Sequence, residues 1–154
     1  MEVLNQLVHN EVLVIPLIAW CVAQVVKTII YGIVNRKFTL ERMVGAGGMP
    51  SCHSSMVTSL AITACLVCGP DSAIFGVAVI FAMVTMYDAM GVRRETGRQG
   101  EVLNDMIELF KKMGQKLDYD KALKELIGHT PFQVLMGMIC GTIVTIVFHF
   151  CVYN

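Results

Sequence analysis

Four long apolar stretches, roughly 12–34, 52–69, 71–90 and 131–152, take up most of the chain and leave it few ways to fold. A helix that crosses a bilayer needs about 20 mainly apolar residues, with about 17–25 tolerated. The first and last stretches meet that requirement. The middle two stand at its short limit and, joined by the tight Gly69-Pro70-Asp71 turn, read as a helical pair. Lipid offers no hydrogen-bond partner to an open sheet edge, so the expected fold is all-α. It is a polytopic membrane helix bundle with about four transmembrane helices. The 154 residues suit one domain, 1–154, and a composition of 55% hydrophobic against 16% charged residues is too apolar for a soluble one.

Charge narrows the function classes. The net charge is zero, so nothing argues for nucleic acid as a partner. The opening "MEVLNQLVHNEV" lacks the basic region of a cleavable signal peptide, and the apolar run after it is long enough to stay as a span. Arg36, Lys37 and Arg42 follow the first span. Arg93, Arg94, Arg98, Lys111, Lys112, Lys116, Lys121 and Lys124 follow the third, while the termini and the Gly69 turn carry no Lys or Arg. Lys and Arg stay on the cytoplasmic side, which puts both long links inside and both termini outside a cell (plasma) membrane. The six cysteines, Cys21, Cys52, Cys65, Cys68, Cys140 and Cys151, fall mostly inside apolar runs and read as small buried hydrophobes. Cys65 and Cys68 have redox or metal spacing, yet they lie mid-helix with no second pair to complete a site.

Local signals place the elements. Gly45-Ala46-Gly47-Gly48 approaches Pro50, which opens the second span, and Asp71 or Ser72 caps the third, with Gly91 at its end. From about 98 to 113, Val102, Met106, Leu109, Phe110 and Met113 recur at helical spacing, while Glu101, Asp105, Glu108, Lys111 and Lys112 fall mostly elsewhere. This amphipathic segment belongs to an insertion over about 95–128 and should lie along the membrane surface or against the bundle ends. A second short helix is expected from Asp118 or Asp120 to Gly128. Thr130, Pro131 and Gln133 then form a T-x-x-Q capping box with proline at the first helical position. Gly137 and Gly141 make a G-x-x-x-G pair that favours close helix approach, within the bundle or across a homodimer.

Four polar anomalies carry the chemistry. Lys27 lies inside the first span and shares an i, i+3, i+7 stripe with Gln24 and Tyr31. Such a cation either faces protein or water for a purpose or snorkels to the interface. In "GGMPSCHSS", a helix starting near Pro50 leaves the amides of Ser51, Cys52 and His53 to attract an anion, unless the stretch is an ordinary capped loop. Asp88 with Arg93 and Arg94 closes the third span, and arginine grips phosphate through two parallel hydrogen bonds as readily as it anchors a helix end. His129 stands just ahead of the last helix. Together they gather two histidines, two or three cations, a hydroxyl and two helix N-termini on one membrane face, an inventory that binds phosphate and supplies a nucleophile and a proton donor.

The three segments "GGMPSCHSS", "YDAMGVRRETGRQGEVLN" and "GHTPFQVLMG" resemble the divergent branch of the type 2 phosphatidic acid phosphatase (PAP2) superfamily, related to acid phosphatases and vanadium-dependent haloperoxidases. The resemblance runs from about Gln24 to Gly141. It implies a metal-independent, cofactor-free phosphatase in which His129 is the nucleophile that becomes phosphohistidine and His53 protonates the leaving group. Lys27, Ser51, the Cys52 position and Arg93 or Arg94 would hold the phosphate. The chain departs from the superfamily pattern in three ways. The insertion separates the arginines from His129, Lys27 has no R-P partner at the usual spacing (Arg36 is the nearest replacement), and Gln133 stands where an acidic residue is expected. A neutral amide can orient the imidazole but cannot neutralise its cation; Asp88 could supply the carboxylate instead.

The implied activity is hydrolysis of a lipid phosphate or lipid pyrophosphate, with the membrane lipid as partner. The alternative, motivated by Gln133, is a phosphate- or phospholipid-binding or transport protein with weak or absent turnover. A soluble vanadate-dependent haloperoxidase is a distant third.

Overall fold

The computed structural model describes residues 1–36, 48–114 and 129–153, with the Arg93 side chain outside the description. Its helices are α1 (Glu2–Val8), α2 (Glu11–Asn35), α3 (Cys52–Cys68), α4 (Ala73–Met90), α5 (Val92–Lys112) and α6 (Pro131–Phe148). A π-helical turn, His149–Tyr153, extends α6. The described residues contain no strand, and the all-α reading holds. Helices α2, α4 and α6 are long and apolar enough to span a membrane, and α3, at 17 residues, is a shorter apolar helix. The protein is a membrane helix bundle.

Helix α3 is the hub: α2, α4 and α6 all pack on it, and α2 also packs on α6. Helix α4 turns Val77, Phe81, Val84 and Tyr87 outward, as a helix facing lipid does. The α3–α6 contact is backbone to backbone. A Cβ on Gly137 would collide with the Ser51 carbonyl oxygen and crowd the Ser54 Cβ, and one on Gly141 would strike the Ser55 carbonyl. The G-x-x-x-G pair is therefore spent inside the chain, and a homodimer would need another surface.

Lipid presses the buried hydroxyls of this seam to find partners, and those of Ser51, Ser55 and Ser59 do, whereas Thr63 Oγ1 has none among the described residues. Ser51, Ser55, Ser59 and Thr63 recur every fourth residue and are fully buried. Ser55 donates to the Ala19 carbonyl of α2 at 3.1 Å. Thr145 Oγ1 lies 2.8 Å from the Gly141 carbonyl and 2.7 Å from Ser59 Oγ. The carbonyl can only accept, so Thr145 donates to it and accepts the Ser59 proton. At the far end of the bundle, His149 Nδ1 meets Glu11 Oε2 at 2.7 Å, and the Tyr153 hydroxyl donates to the Val8 carbonyl at 3.3 Å.

Three elements differ from the sequence expectation. Helix α1 was not anticipated. Pro50 lies one residue before the α3 N-cap, Ser51, rather than inside the helix. Gly91 does cap α4 as expected, but outside the left-handed region (φ −97°, ψ −84°); its amide bonds Tyr87 and its carbonyl accepts from Glu95, so α5 begins at once at Val92. The amphipathic helix is thus longer than the 98–113 pattern, whose apolar side lacks a partner in its first two turns. Helix α5 packs against α4 and leaves Val102, Met106, Leu109, Phe110 and Met113 exposed. The helix expected near 118–128 and the 45–47 glycine approach lie outside the described residues.

Gly141→Ala is expected to destabilise the bundle by about 1–3 kcal/mol, since the added methyl meets fixed backbone. Gly76→Ala on α4, where a Cβ meets nothing within 4 Å, should match or slightly exceed wild type. Unfolding of the two variants in the same detergent compares them.

Candidate active site

The polar groups singled out in the sequence converge on the end of the bundle where α3 and α6 begin and α4 ends. Lys27 is only 5% exposed, so it does not snorkel. Its Nζ lies 3.7 Å from Cys52 Sγ at the first turn of α3, and the Cys52 thiol also meets the His53 ring. Gln24, a turn away, is buried too, and Tyr31 is half-buried. The Lys27 methylenes run 3.2 Å from where a Cβ of Gly48 would stand, and Gly48 has φ 95°, so glycine lets the chain cross the lysine stem. A cleft of about 160 Å³ opens beside Lys27, walled by Ile30, Tyr31, Val34, Asn35, Gly48 and Met49.

The start of α3 is organised by Ser51. Its side chain accepts from the Ser54 amide at 3.3 Å and the Ser54 hydroxyl at 2.9 Å. Both lone pairs are then engaged, and the Ser51 hydroxyl keeps one proton to donate. The Ser51 amide, expected to be open to an anion, instead donates to the Gln133 carbonyl at 3.1 Å. Its position as N-cap, rather than first helical residue, brings it against α6. Cys52 and His53 thus supply the first-turn amides without an intrahelical acceptor. The Cys52 side chain is buried and that of His53 is exposed.

Helix α6 contributes His129 through its cap. Thr130 Oγ1 accepts the Gln133 amide at 3.3 Å, and Gln133 Oε1 accepts the Thr130 amide at 3.1 Å, completing the capping box. The same Oε1 lies 3.2 Å from His129 Nδ1. His129 is 7% exposed, and its own amide donates to the Ala89 carbonyl at 3.0 Å, which ties it to the end of α4. Pro131 has no N–H, so the cap leaves α6 only the Phe132 amide in its first turn. The expectation of two anion-receptive helix starts reduces to one, that of α3.

Asp88 is half-buried beside Ala89. The place at His129 Nδ1 that a carboxylate would take is held by Gln133. Arg94 is exposed in the first turn of α5, Arg93 shares that turn with its side chain outside the described residues, and Arg36 is exposed at the end of α2. Sequence reasoning reached Gln133 as a cap and as an amide able to orient the His129 ring, but not its main-chain carbonyl as the acceptor of the Ser51 amide.

These features define a polytopic membrane protein with a buried lysine, a tethered histidine and first-turn amides without intrahelical acceptors gathered at one end. The chain belongs to the Divergent PAP2 family, whose sequence model matches residues 8–144. It is 40% identical over 151 residues to YuiD, an uncharacterized membrane protein of Bacillus subtilis (strain 168), covering 92% of this chain and 96% of that one. No solved structure matches it.

Thr130→Ala removes the cap and should cost about 1 kcal/mol of stability, whereas Thr130→Ser keeps the accepting oxygen and should stay near wild type. Chemical unfolding in detergent measures the difference.

Proposed function

We propose that the protein is a lipid phosphate phosphatase that works through a phosphohistidine intermediate. The observation that carries this reading is the convergence of Lys27, the Cys52 and His53 amides and the Gln133-tethered His129 at one end of the bundle. Family membership supports it, since the superfamily resemblance assigns these positions to phosphoryl transfer. In this reading Lys27, Ser51 and the start of α3 hold the phosphoryl oxygens, with Arg93 or Arg94 as the arginine that the resemblance assigns to phosphate. His129 attacks phosphorus as the ester bond breaks, and the departing oxygen takes its proton from His53. Water then gives a proton to the neutral His53 and bonds phosphorus as the nitrogen–phosphorus bond breaks with its electron pair on His129, releasing phosphate. A lysine held in a poorly hydrated recess interacts with phosphate far more strongly than one in water. The substrate's reacting group is a phosphomonoester or pyrophosphate on a membrane lipid, and the site opens to the cytoplasm, with both termini outside the cell membrane.

The neutral amide of Gln133 favours one other reading, a phosphate- or phospholipid-binding or transport protein without turnover. Phosphate release from a panel of lipid phosphates in detergent separates the two. Wild type should turn over at least one member, and His129→Ala should lose about 10³-fold or more. Binding without release by wild type would favour the second reading. Equal inertness of wild type and His129→Ala toward every member would remove the enzymatic one.

Orientation is checked with reporters fused to the C-terminus. Alkaline phosphatase should be active there and green fluorescent protein dark; the reverse pattern would turn the site outward.

A further inference from the structure

The contacts of Gln133 fix more than a helix cap. A backbone amide can only donate, so the Gln133 atom 3.1 Å from the Thr130 N–H is the side-chain oxygen, which settles the amide's orientation. That oxygen also stands 3.2 Å from His129 Nδ1. A carbonyl oxygen cannot donate, so Nδ1 carries the proton and, in the neutral ring, Nε2 carries the lone pair. The Gln133 main-chain carbonyl meanwhile accepts the Ser51 amide. One residue thus sets the ring's tautomer, its direction and its register against the start of α3.

We infer that Gln133 is a positioning residue that holds His129 in the Nδ1–H tautomer through an uncharged acceptor, and so makes the phosphohistidine short-lived. The kinetic half of this rests on the phosphatase reading above; the tautomer half does not. When Nε2 bonds to phosphorus, the P–O bond to the leaving group breaks and its electron pair leaves with oxygen, which is protonated by His53. The ring, with a proton on Nδ1 and phosphorus on Nε2, is then a cation. A carboxylate at position 133 would offset that charge and stabilise the intermediate. The amide orients the ring without offsetting it, so water, passing a proton to the now neutral His53 as its oxygen bonds phosphorus, displaces Nε2 sooner, and the N–P electron pair returns to the ring.

Three proteins test this: wild type, Gln133→Glu and Gln133→Leu. Glutamate keeps an oxygen for both hydrogen bonds and suits the capping box, while leucine keeps the bulk and loses the acceptor. The nitrogen chemical shifts of ¹⁵N-histidine-labelled protein report the tautomer without any turnover. Wild type should show His129 protonated on Nδ1 in its neutral form, Gln133→Glu should keep that pattern, and Gln133→Leu should lose it. A wild-type proton on Nε2, or an unchanged tautomer in Gln133→Leu, would overturn the positioning role whatever the enzyme's activity.

Acid-quenched phosphoenzyme from a ³²P-labelled lipid phosphate reads the kinetic half. Its lifetime in Gln133→Glu should exceed wild type by about ten-fold or more, since an opposite charge at this distance shifts the stability of a cation by roughly one to three powers of ten. Phosphoenzyme of equal or shorter lifetime in Gln133→Glu would overturn the charge argument. Absence of phosphoenzyme from every protein would overturn both the kinetic half and the phosphatase reading, leaving the tautomer result standing.

Discussion

Everything at the polar end of this bundle depends on how near α6 comes to α3. Two glycines one turn apart remove the side chains that would hold the helices at ordinary distance, and the α3 backbone fills the space. Only at that separation can the Ser51 amide reach the Gln133 carbonyl. That single backbone hydrogen bond aligns the start of one helix with the cap of the other. In water such close packing would be one means of burying surface among several. In lipid, where apolar side chains gain little by leaving the solvent, van der Waals contact and hydrogen bonding drive helix association.

The same constraint explains where the chain's polar residues stand. Ser51, Ser55, Ser59 and Thr63 line one edge of α3 at four-residue spacing, and the hydroxyls of the first three find acceptors or donors on α2, α3 or α6. They are small enough to leave the backbones close and polar enough to bind them together. Lys27 extends this logic to a full charge. Its stem crosses Gly48 and its ammonium reaches Cys52, so the most expensive group in the membrane is spent at the helix start where the Cys52 and His53 amides have no intrahelical acceptor.

The bundle and most candidate positions were legible in the sequence because lipid imposes simple rules. Span length, the T-x-x-Q box and the glycine pair each correspond to one local physical requirement and appeared where expected. Gly91 stands at the end of α4 as expected, but its backbone is not left-handed, and sequence alone does not show that α5 follows at once. The Ser51 amide did mislead. Whether a helix-start donor is free depends on what packs against it, and its partner lies more than eighty residues away. The choice between a bundle contact and a dimer contact for Gly137 and Gly141 was likewise a question of tertiary geometry. The Glu11–His149 pair also escaped notice, since each residue alone reads as an ordinary helix-end polar group.

That pair bears on how α6 can move. The helix is held at one end by Gln133 against Ser51 and at the other by His149 against Glu11, with glycine-mediated contact between. Sliding α6 along its axis would break both polar ties and drive the α3 carbonyls into the side chains next to the glycines. Piston motion, a common way for a membrane helix to carry a signal from one face to the other, is therefore closed to α6. It serves as a strut, and the position of His129 relative to Ser51 is referenced to the opposite side of the membrane.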